Sequence, residues 1–190
     1  MANSNFIVQN GLTVGPLTID AATGAISTSA AAQNYTANIN PATSNLYTLG
    51  NTTNRWSAVW GVAVNAQYAD LAENYTADAD YEPGTVLEFG GLAEVTLCNA
   101  DMSTRVAGVV STNPAYLMNG LLDSTNIATV ALTGRVPTKV TGVVNKGDMM
   151  VSAGDGRARA EANPVIGSVI GKALENSEGD AVIEVVIGKN

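Results

Sequence analysis

Two stretches of this chain repeat one pattern, and they decide its fold class. "PGTVLEFGGLAEVTL" runs from Pro83 to Leu97, and "KGDMMVSAGDGRARA" runs from Lys146 to Ala160. Each continues from a glycine through a short apolar run, turns on glycine and returns as a second run, which is typical of a β-hairpin. Each is followed by a strand-like segment with a glycine inside it, "RVAGVVS" (Arg105 to Ser111) and "PVIGSVIG" (Pro164 to Gly171). We therefore predict one hairpin-plus-strand unit used twice, the first and the second repeat.

The segments around the repeats also favour strands. "NIATVALTGRVPTKVTG", between the repeats, predicts two strands around a turn at Gly134 and Arg135. Pro137 indicates an edge or a bulge there, because proline cannot donate to a ladder. The C-terminal "DAVIEVVIGKN" predicts one more strand. Residues 67–75 place apolar side chains on one helical face and predict a short helix, with a strand as the alternative. The sequence thus predicts an all-β fold, with a compact acidic barrel or sandwich at residues 66–190.

Residues 1–65 have a different character. "NFIVQNGLTVGPLTIDAATGAISTSA", from Asn5 to Ala30, contains short alternating runs separated by turn residues, and Asp20 is the one charged residue before Arg55. Runs of this length are too short to bury an apolar face, and isolated two-stranded ribbons are marginally stable. Their Ile, Leu and Val content argues against disorder. We predict an extended, intertwined β segment that is completed by neighbouring chains in an oligomer.

Composition disfavours several classes of function. The 190 residues include no histidine, which removes the commonest general base and zinc ligand. The net charge of −8 disfavours nucleic acid and anionic membranes as partners. Cys98 stands in an alternating apolar run and is expected to be a buried thiol. We expect no signal peptide, no membrane insertion, no cofactor and no metal.

Six carboxylates and no basic residue lie between Tyr68 and Gly91. A calcium loop fits the alternation from Asp78 to Glu82, but Pro83 stands where such a loop needs glycine and Phe89 where it needs glutamate. A glycosidase pair of Glu82 and Glu88 would need a cleft rich in aromatic residues, and aromatic residues make up only 5% of the chain. We expect a solvated acidic entry to the β domain. The six are Asp70, Glu73, Asp78, Asp80, Glu82 and Glu88.

Four residues are candidates for assembly contacts. Arg157 and Arg159 are predicted on one face of a strand, where they would pair with the acidic run of a neighbouring copy. Trp56 and Trp60, beside the domain junction, are expected to be packing anchors, with sugar stacking as the alternative.

The stretch "LGNTTNRWSAVWGVAVNAQYADLAENY", from Leu49 to Tyr75, resembles the junction in bacteriophage tail fibre and tail spike proteins, where G-x-x-x-N-R-W-x-x-x-W-G precedes a C-terminal β domain. The rest is similar to structural proteins of cyanobacterial myophages, and the N-terminal segment resembles the β modules along their fibres. The resemblance implies a homotrimeric tail fibre or baseplate component, made in the cytoplasm of an infected bacterium, expected to be a cyanobacterium, and incorporated in the virion beside other virion proteins.

The β domain also resembles the chaperone-like autoprotease domains of phage fibres. The matching residues are Asp70 to Glu73 and Gly108 to Ala115. In that family a nucleophilic serine precedes the acidic start, whereas this chain has Gln67, Tyr68 and Ala69 there. The resemblance therefore implies the fold without self-cleavage, and a non-enzymatic role. Two alternatives remain open, a trimeric capsid decoration protein and a tip that binds host surface glycan.

Overall fold

The computed structural model describes residues 10, 12–14, 17–23, 25–28 and 35–188. The chain forms two compact units, residues 1–60 and residues 61–190. Thirteen strands and no α-helix occur in the described ranges, so none of those residues belongs to a helix that could span a membrane. The predicted all-β class is confirmed.

The N-terminal unit contains one small antiparallel sheet. Its strands are β1 (Leu12–Val14), β2 (Leu17–Ile19) and β3 (Ile26–Thr28), in the order β1-β2-β3. Asp20 closes the turn after β2, where its Oδ1 accepts hydrogen bonds at 2.7 Å from the Thr23 amide and hydroxyl. The short strands that alternation predicted are confirmed.

The C-terminal unit contains a closed five-stranded barrel with the order β11-β10-β12-β13-β9. Its closure is a parallel contact between β11 and β9, with Ala158 opposite Val140. Of the two predicted architectures, the barrel is the one observed, and further strands extend the sheet beyond it. The strands of this unit are β4 (Asp70–Thr76), β5 (Val86–Phe89), β6 (Val95–Leu97), β7 (Val106–Val110), β8 (Tyr116–Met118), β9 (Ile127–Val140), β10 (Met149–Gly154), β11 (Arg157–Ala160), β12 (Val169–Ala173) and β13 (Ala181–Ile187).

Both repeats form the predicted unit. In the first repeat β5 pairs antiparallel with β6 and with β7. In the second repeat β10 pairs antiparallel with β11 and with β12. In each, the first hairpin strand lies between its return strand and the strand that follows, so the sequence repeat is a structural repeat.

Strand β9 connects the two parts of the sheet. Its 14 residues pair first with β4 and β7 and then with β13. The predicted turn at Gly134 and Arg135 is wrong: the strand continues, and Gly134 allows β4 to cross closely, since a Cβ there would lie 2.2 Å from the Ala69 carbonyl oxygen. Of the two alternatives predicted at Pro137, an edge or a bulge, the bulge is absent, because β9 and β13 keep an unbroken register through this residue. On its other side Pro137 has no strand partner among the described residues, as an edge position requires.

The helix predicted at residues 67–75 is wrong. Residues 70–76 form β4, antiparallel to β9 and parallel to β8. Asp70 and Ala72 are buried on one face of it. Two neighbouring strands supply the backbone hydrogen bonds and the burial that decide between helix and strand in so short a segment.

The core is rich in valine and divides into two clusters. One fills the barrel and includes Val136, Val140 and Met150, and the other includes Leu87, Val95 and Val130. Successive strand residues point to opposite faces, so β5 contributes Val86 to the first cluster and Leu87 to the second.

Candidate functional site

The carboxylates of the acidic run do not converge on one site, although Asp80 and Glu82 both line a cavity of about 620 Å³. Asp70 accepts a hydrogen bond from Ser111 Oγ at 2.6 Å, Glu82 accepts one from Lys139 Nζ at 3.0 Å, and Glu73 accepts one from the Tyr75 hydroxyl at 2.8 Å. Within the described ranges no three Asp, Glu, Cys or His side chains lie close enough to hold a metal ion. Asp70, Glu73 and Glu82 each make a separate contact, and the run lacks the geometry of a calcium loop.

Part of the run covers the outer edge of β6. The Thr96 hydroxyl donates to Asp78 Oδ2 at 2.7 Å, and Tyr81 donates to Asp78 while accepting from the Leu97 amide at 3.0 Å. Ala77 forms a parallel bridge with Val95. Hydrogen bonds from Tyr81 and Thr96 lower the pKa of Asp78. Residues 76–81, called here the cover segment, thus occupy the edge that β6 would otherwise expose.

Glu88 is the buried carboxylate at the centre of a polar network. Its carboxylate accepts from Arg105 Nη2 at 2.7 Å, from Ser103 Oγ at 2.6 Å and from Cys98 Sγ at 3.5 Å. Burial raises the pKa of the Cys98 thiol, which keeps it a donor, and the predicted burial of this cysteine is confirmed. The Ser103 amide donates to Ser152 Oγ at 2.9 Å, which joins the first repeat to β10 of the second.

Glu82 and Glu88 therefore do not form a glycosidase pair. The Glu82 side chain is 85% exposed beside Lys139, whereas that of Glu88 is 7% exposed beside Arg105. A general acid and its partner must face one substrate from two sides, and these carboxylates lie in different surroundings.

The two stretches that carry the resemblance to autoprotease domains meet in space. Asp70 and Ser111 are hydrogen-bonded to each other, and the Ala115 amide donates to the Asp70 carbonyl at 2.9 Å. A cavity of about 410 Å³ lies beside them. No imidazole or amine is among its lining residues, and the group that accepts the Ser111 hydroxyl hydrogen bond is the Asp70 carboxylate. Its lining is Gln67, Tyr68, Ala69, Asp70, Ser111, Thr112, Asn113, Arg135, Val136, Pro137 and Glu184.

Arg157 and Arg159 lie on one face of β11, as predicted, with buried Ala158 between them. Each has a carboxylate partner within the chain. Arg159 holds Asp101 in a two-bond contact at 2.7 and 2.9 Å and Glu161 at 2.8 Å, and it lowers the pKa of both carboxyls. Arg157 lies 3.4 Å from Asp180. Their role in assembly stays a prediction, and reversing either charge would first break a contact within the chain.

Trp56 and Trp60 belong to a large exposed apolar surface. They are 65% and 94% exposed, and none of residues 17–23, 25–27 and 35–60 is buried. We call this set the N-terminal apolar surface. Besides the two tryptophans, its large members are Ile26, Tyr35, Ile39, Leu46, Tyr47, Leu49 and Val59.

Sequence reasoning missed the Glu88 network and the Arg159–Asp101 contact. The partners stand 15 to 17 positions apart in the first case and 58 in the second. The one local signal is a glutamate inside an otherwise apolar hairpin strand, "VLEF", which indicates a buried and paired carboxylate.

Tyr75 makes the stability of this unit sensitive to alkaline pH. Burial, followed by the hydrogen bond to Glu73, raises the pKa of Tyr75 from 10.0 to about 12. A raised pKa adds stability that is complete below pH 10 and is lost as the pH rises toward 12. We expect Tyr75→Phe to reduce the fall of the unfolding free energy across this window by about 1 kcal/mol after solvent screening. Urea titrations at a series of pH values from about 9 to about 12 measure the unfolding free energy, and Tyr68→Phe is the control. An equal fall of the unfolding free energy in wild type and in Tyr75→Phe would contradict the prediction.

No protein-family model matches the chain, and no characterised protein matches its sequence significantly. The relation to phage fibre proteins therefore remains an expectation carried by the quoted motifs.

Proposed function

We propose that this chain is a non-enzymatic structural protein of a bacteriophage virion, a tail fibre or baseplate component that assembles as a homotrimer. The observation that carries the proposal is the N-terminal apolar surface, together with the absence of any buried residue among residues 17–23, 25–27 and 35–60. The junction motif from Gly50 to Gly61 gives the link to phage fibres.

Residues 17–23, 25–27 and 35–60, none of which is buried, need partners to cover their apolar side chains. Ordering a residue costs about 1–2 kcal/mol of backbone entropy, and strands of three residues bury too little to offset it. Removing apolar surface from water contributes about 25 cal/mol per Å². Winding three copies together would cover the apolar face of each chain with its two neighbours, which supports a trimeric stalk followed by the barrel.

The non-enzymatic part of the proposal is supported by the surroundings of the carboxylates. Asp70, Asp78 and Glu88 each accept hydrogen bonds from nearby hydroxyl groups, and Glu82 pairs with Lys139. These carboxylates join neighbouring segments of one domain, and no two of them flank a common cleft in a way suited to acid–base chemistry.

We expect the full chain to have the native mass of a trimer and a chain lacking residues 1–65 to be a monomer. The barrel retains its own core after truncation, whereas the N-terminal apolar surface is removed. Native mass spectrometry and sedimentation equilibrium measure both species, and circular dichroism serves as the control for folding of the truncated chain.

A full chain that is monomeric at micromolar concentration would contradict the proposal. A truncated chain that remains trimeric would move the assembly contact into residues 66–190. Its position in the virion requires immunogold labelling of intact particles: label on the tail supports the fibre or baseplate role, and label on the head supports the capsid decoration role.

The exposure of Trp60 also favours a second candidate, a glycan-binding tip. An indole that is 94% exposed can stack on a sugar ring. Signal on an array of host surface glycans, lost in Trp60→Ala, would support this role. If an assembled trimer gives no signal on the array, glycan binding is contradicted and Trp60 serves only in packing.

A further inference from the structure

Two strands of the C-terminal unit, β6 and β8, have a single strand partner in the described structure. Such edge strands present unpaired backbone amides and carbonyls. The cover segment occupies the edge of β6 through the Ala77–Val95 bridge and the hydrogen bonds of Asp78 and Tyr81. Among the described residues β8 has no comparable cover, because its backbone pairs only with β4.

The open edge of β8 is short, three residues, but it has no charged side chain and no proline within the strand. Natural edges carry charged side chains, prolines or bulges that prevent pairing with another chain. No charged residue occurs from Val106 to Leu122. Tyr116 is 64% exposed, Leu117 45% and Leu121 64%. The edge therefore presents apolar side chains beside free backbone groups.

A segment elsewhere in the chain has the pattern of a missing strand. Trp60, Val62 and Val64 alternate along the sequence and are 94%, fully and 90% exposed. Alternation of this kind is typical of a strand with one buried face, yet no strand forms at these positions. No charged residue occurs from Trp56 to Ala69.

We propose that residues 60–64 of one copy add as a strand to the open edge of β8 in a neighbouring copy. This inference rests on the homotrimer proposed above, and it specifies one contact that holds the three copies together. Residues 56–69 and 106–122 contain no charged residue, although the net charge of the chain is −8. The pairing therefore buries no carboxylate, and the carboxylates that would repel one another between copies lie outside the contact.

The symmetry of a trimer suits this contact. Each copy gives its 60–64 segment to one neighbour and receives a segment from the other, and three such contacts close a ring. Backbone hydrogen bonds supply affinity in strand addition, and alternate side chains supply specificity. Tyr116 and Leu117 point to opposite faces of the sheet, so one of the two would lie beside the face formed by Trp60 and Val62.

Cysteine cross-linking between differently tagged copies tests the pairing. Chains with Val62→Cys are co-expressed with chains carrying Tyr116→Cys, Leu117→Cys or Met118→Cys, and buried Cys98 is kept. A disulfide requires Cα atoms within about 7 Å, so we expect the mixed dimer on non-reducing gels at one or two of the three positions. Each cysteine chain co-expressed with wild type is the control and gives no such dimer.

The outcomes separate this inference from the proposed function. A trimeric native mass without cross-linking at any of the three positions overturns the pairing and leaves the trimer standing. A monomeric native mass overturns both. A disulfide that forms within one doubly substituted chain, and never between chains, overturns pairing between copies.

Substitution of the edge gives an independent measurement. We expect Leu117→Lys to raise the concentration at which the trimer dissociates by about tenfold or more, because a leucine that the proposed pairing covers is replaced by a charge. Leu92→Lys is the matched control, because Leu92 is 99% exposed in the hairpin between β5 and β6. It should leave the concentration at which half of the trimer dissociates unchanged. Equal dissociation concentrations for Leu117→Lys and Leu92→Lys would overturn the proposal.

Discussion

Replacement of Gly171 by alanine is expected to lower the free energy of unfolding of the barrel by about 3 kcal/mol or more. Gly171 lies in β12 opposite Ile187 of β13. A Cβ at this position would lie 2.0 Å from the Val186 carbonyl oxygen and 2.8 Å from its carbonyl carbon. The obstructing atoms belong to backbone, so they can move away only if β12 separates from β13, one of the contacts that close the barrel.

The corresponding residue of the first repeat gives the same expectation. Gly108 lies in β7, and a Cβ there would lie 2.3 Å from the Ala131 carbonyl oxygen of β9. Gly120→Ala is the control, because the nearest atom to its added Cβ is Leu117 Cδ2 at 3.8 Å. Urea unfolding followed by circular dichroism should give a change below about 0.5 kcal/mol for the control. Wild-type stability in Gly171→Ala would mean that these strands lie farther apart in solution.

The second large effect is expected from removal of the buried carboxylate at Glu88. Glu88→Ala leaves the Ser103 hydroxyl without its acceptor and opens a cavity among β5, β7 and β10, so we expect a loss of about 2–4 kcal/mol. Ser103 also contacts Ser152 of the second repeat. The substitution should therefore destabilise both repeats, and amide hydrogen exchange should become faster in β5 and in β10.

Glu82→Ala is the matched control for that substitution. Glu82 also pairs with a cation, Lys139 at 3.0 Å, but its side chain is 85% exposed. Exposed ion pairs contribute about 0–1 kcal/mol. A loss at Glu82→Ala as large as that at Glu88→Ala would contradict the claim that burial makes the Glu88 network stabilising.

Local pattern was sufficient for the parts of the fold that form from neighbouring residues. In the hairpins β5–β6 and β10–β11, a short turn with glycine joins the two paired strands. Residues close together in the sequence therefore determine this pairing. The turn predicted at Gly134 failed for a nonlocal reason. Glycine serves both in turns and where another backbone crosses closely, and the crossing chain at Gly134 is β4, more than fifty positions earlier.

The candidate sites depended still more on distant residues. Spacing alone left Glu82 and Glu88 as equivalent members of one acidic run. Their surroundings differ because Glu82 meets Lys139, 57 positions away, while Glu88 points into a network with Ser103 and Arg105. A strand pattern states which residues alternate, but it does not state which face another strand will cover.

The sequence by itself determined the all-β class, the repeated hairpin-plus-strand unit, the strands of the N-terminal sheet and the contrast between an uncharged N-terminal segment and an acidic β domain. Composition, alternation and turn chemistry are local properties, and they carry this information directly. Only the tertiary structure decided that the barrel closes through β11 and β9, that β9 runs unbroken through Gly134, which carboxylates are buried, and that β8 keeps an open edge. Each of these depends on which distant strands meet, and that is set by burial of the whole core.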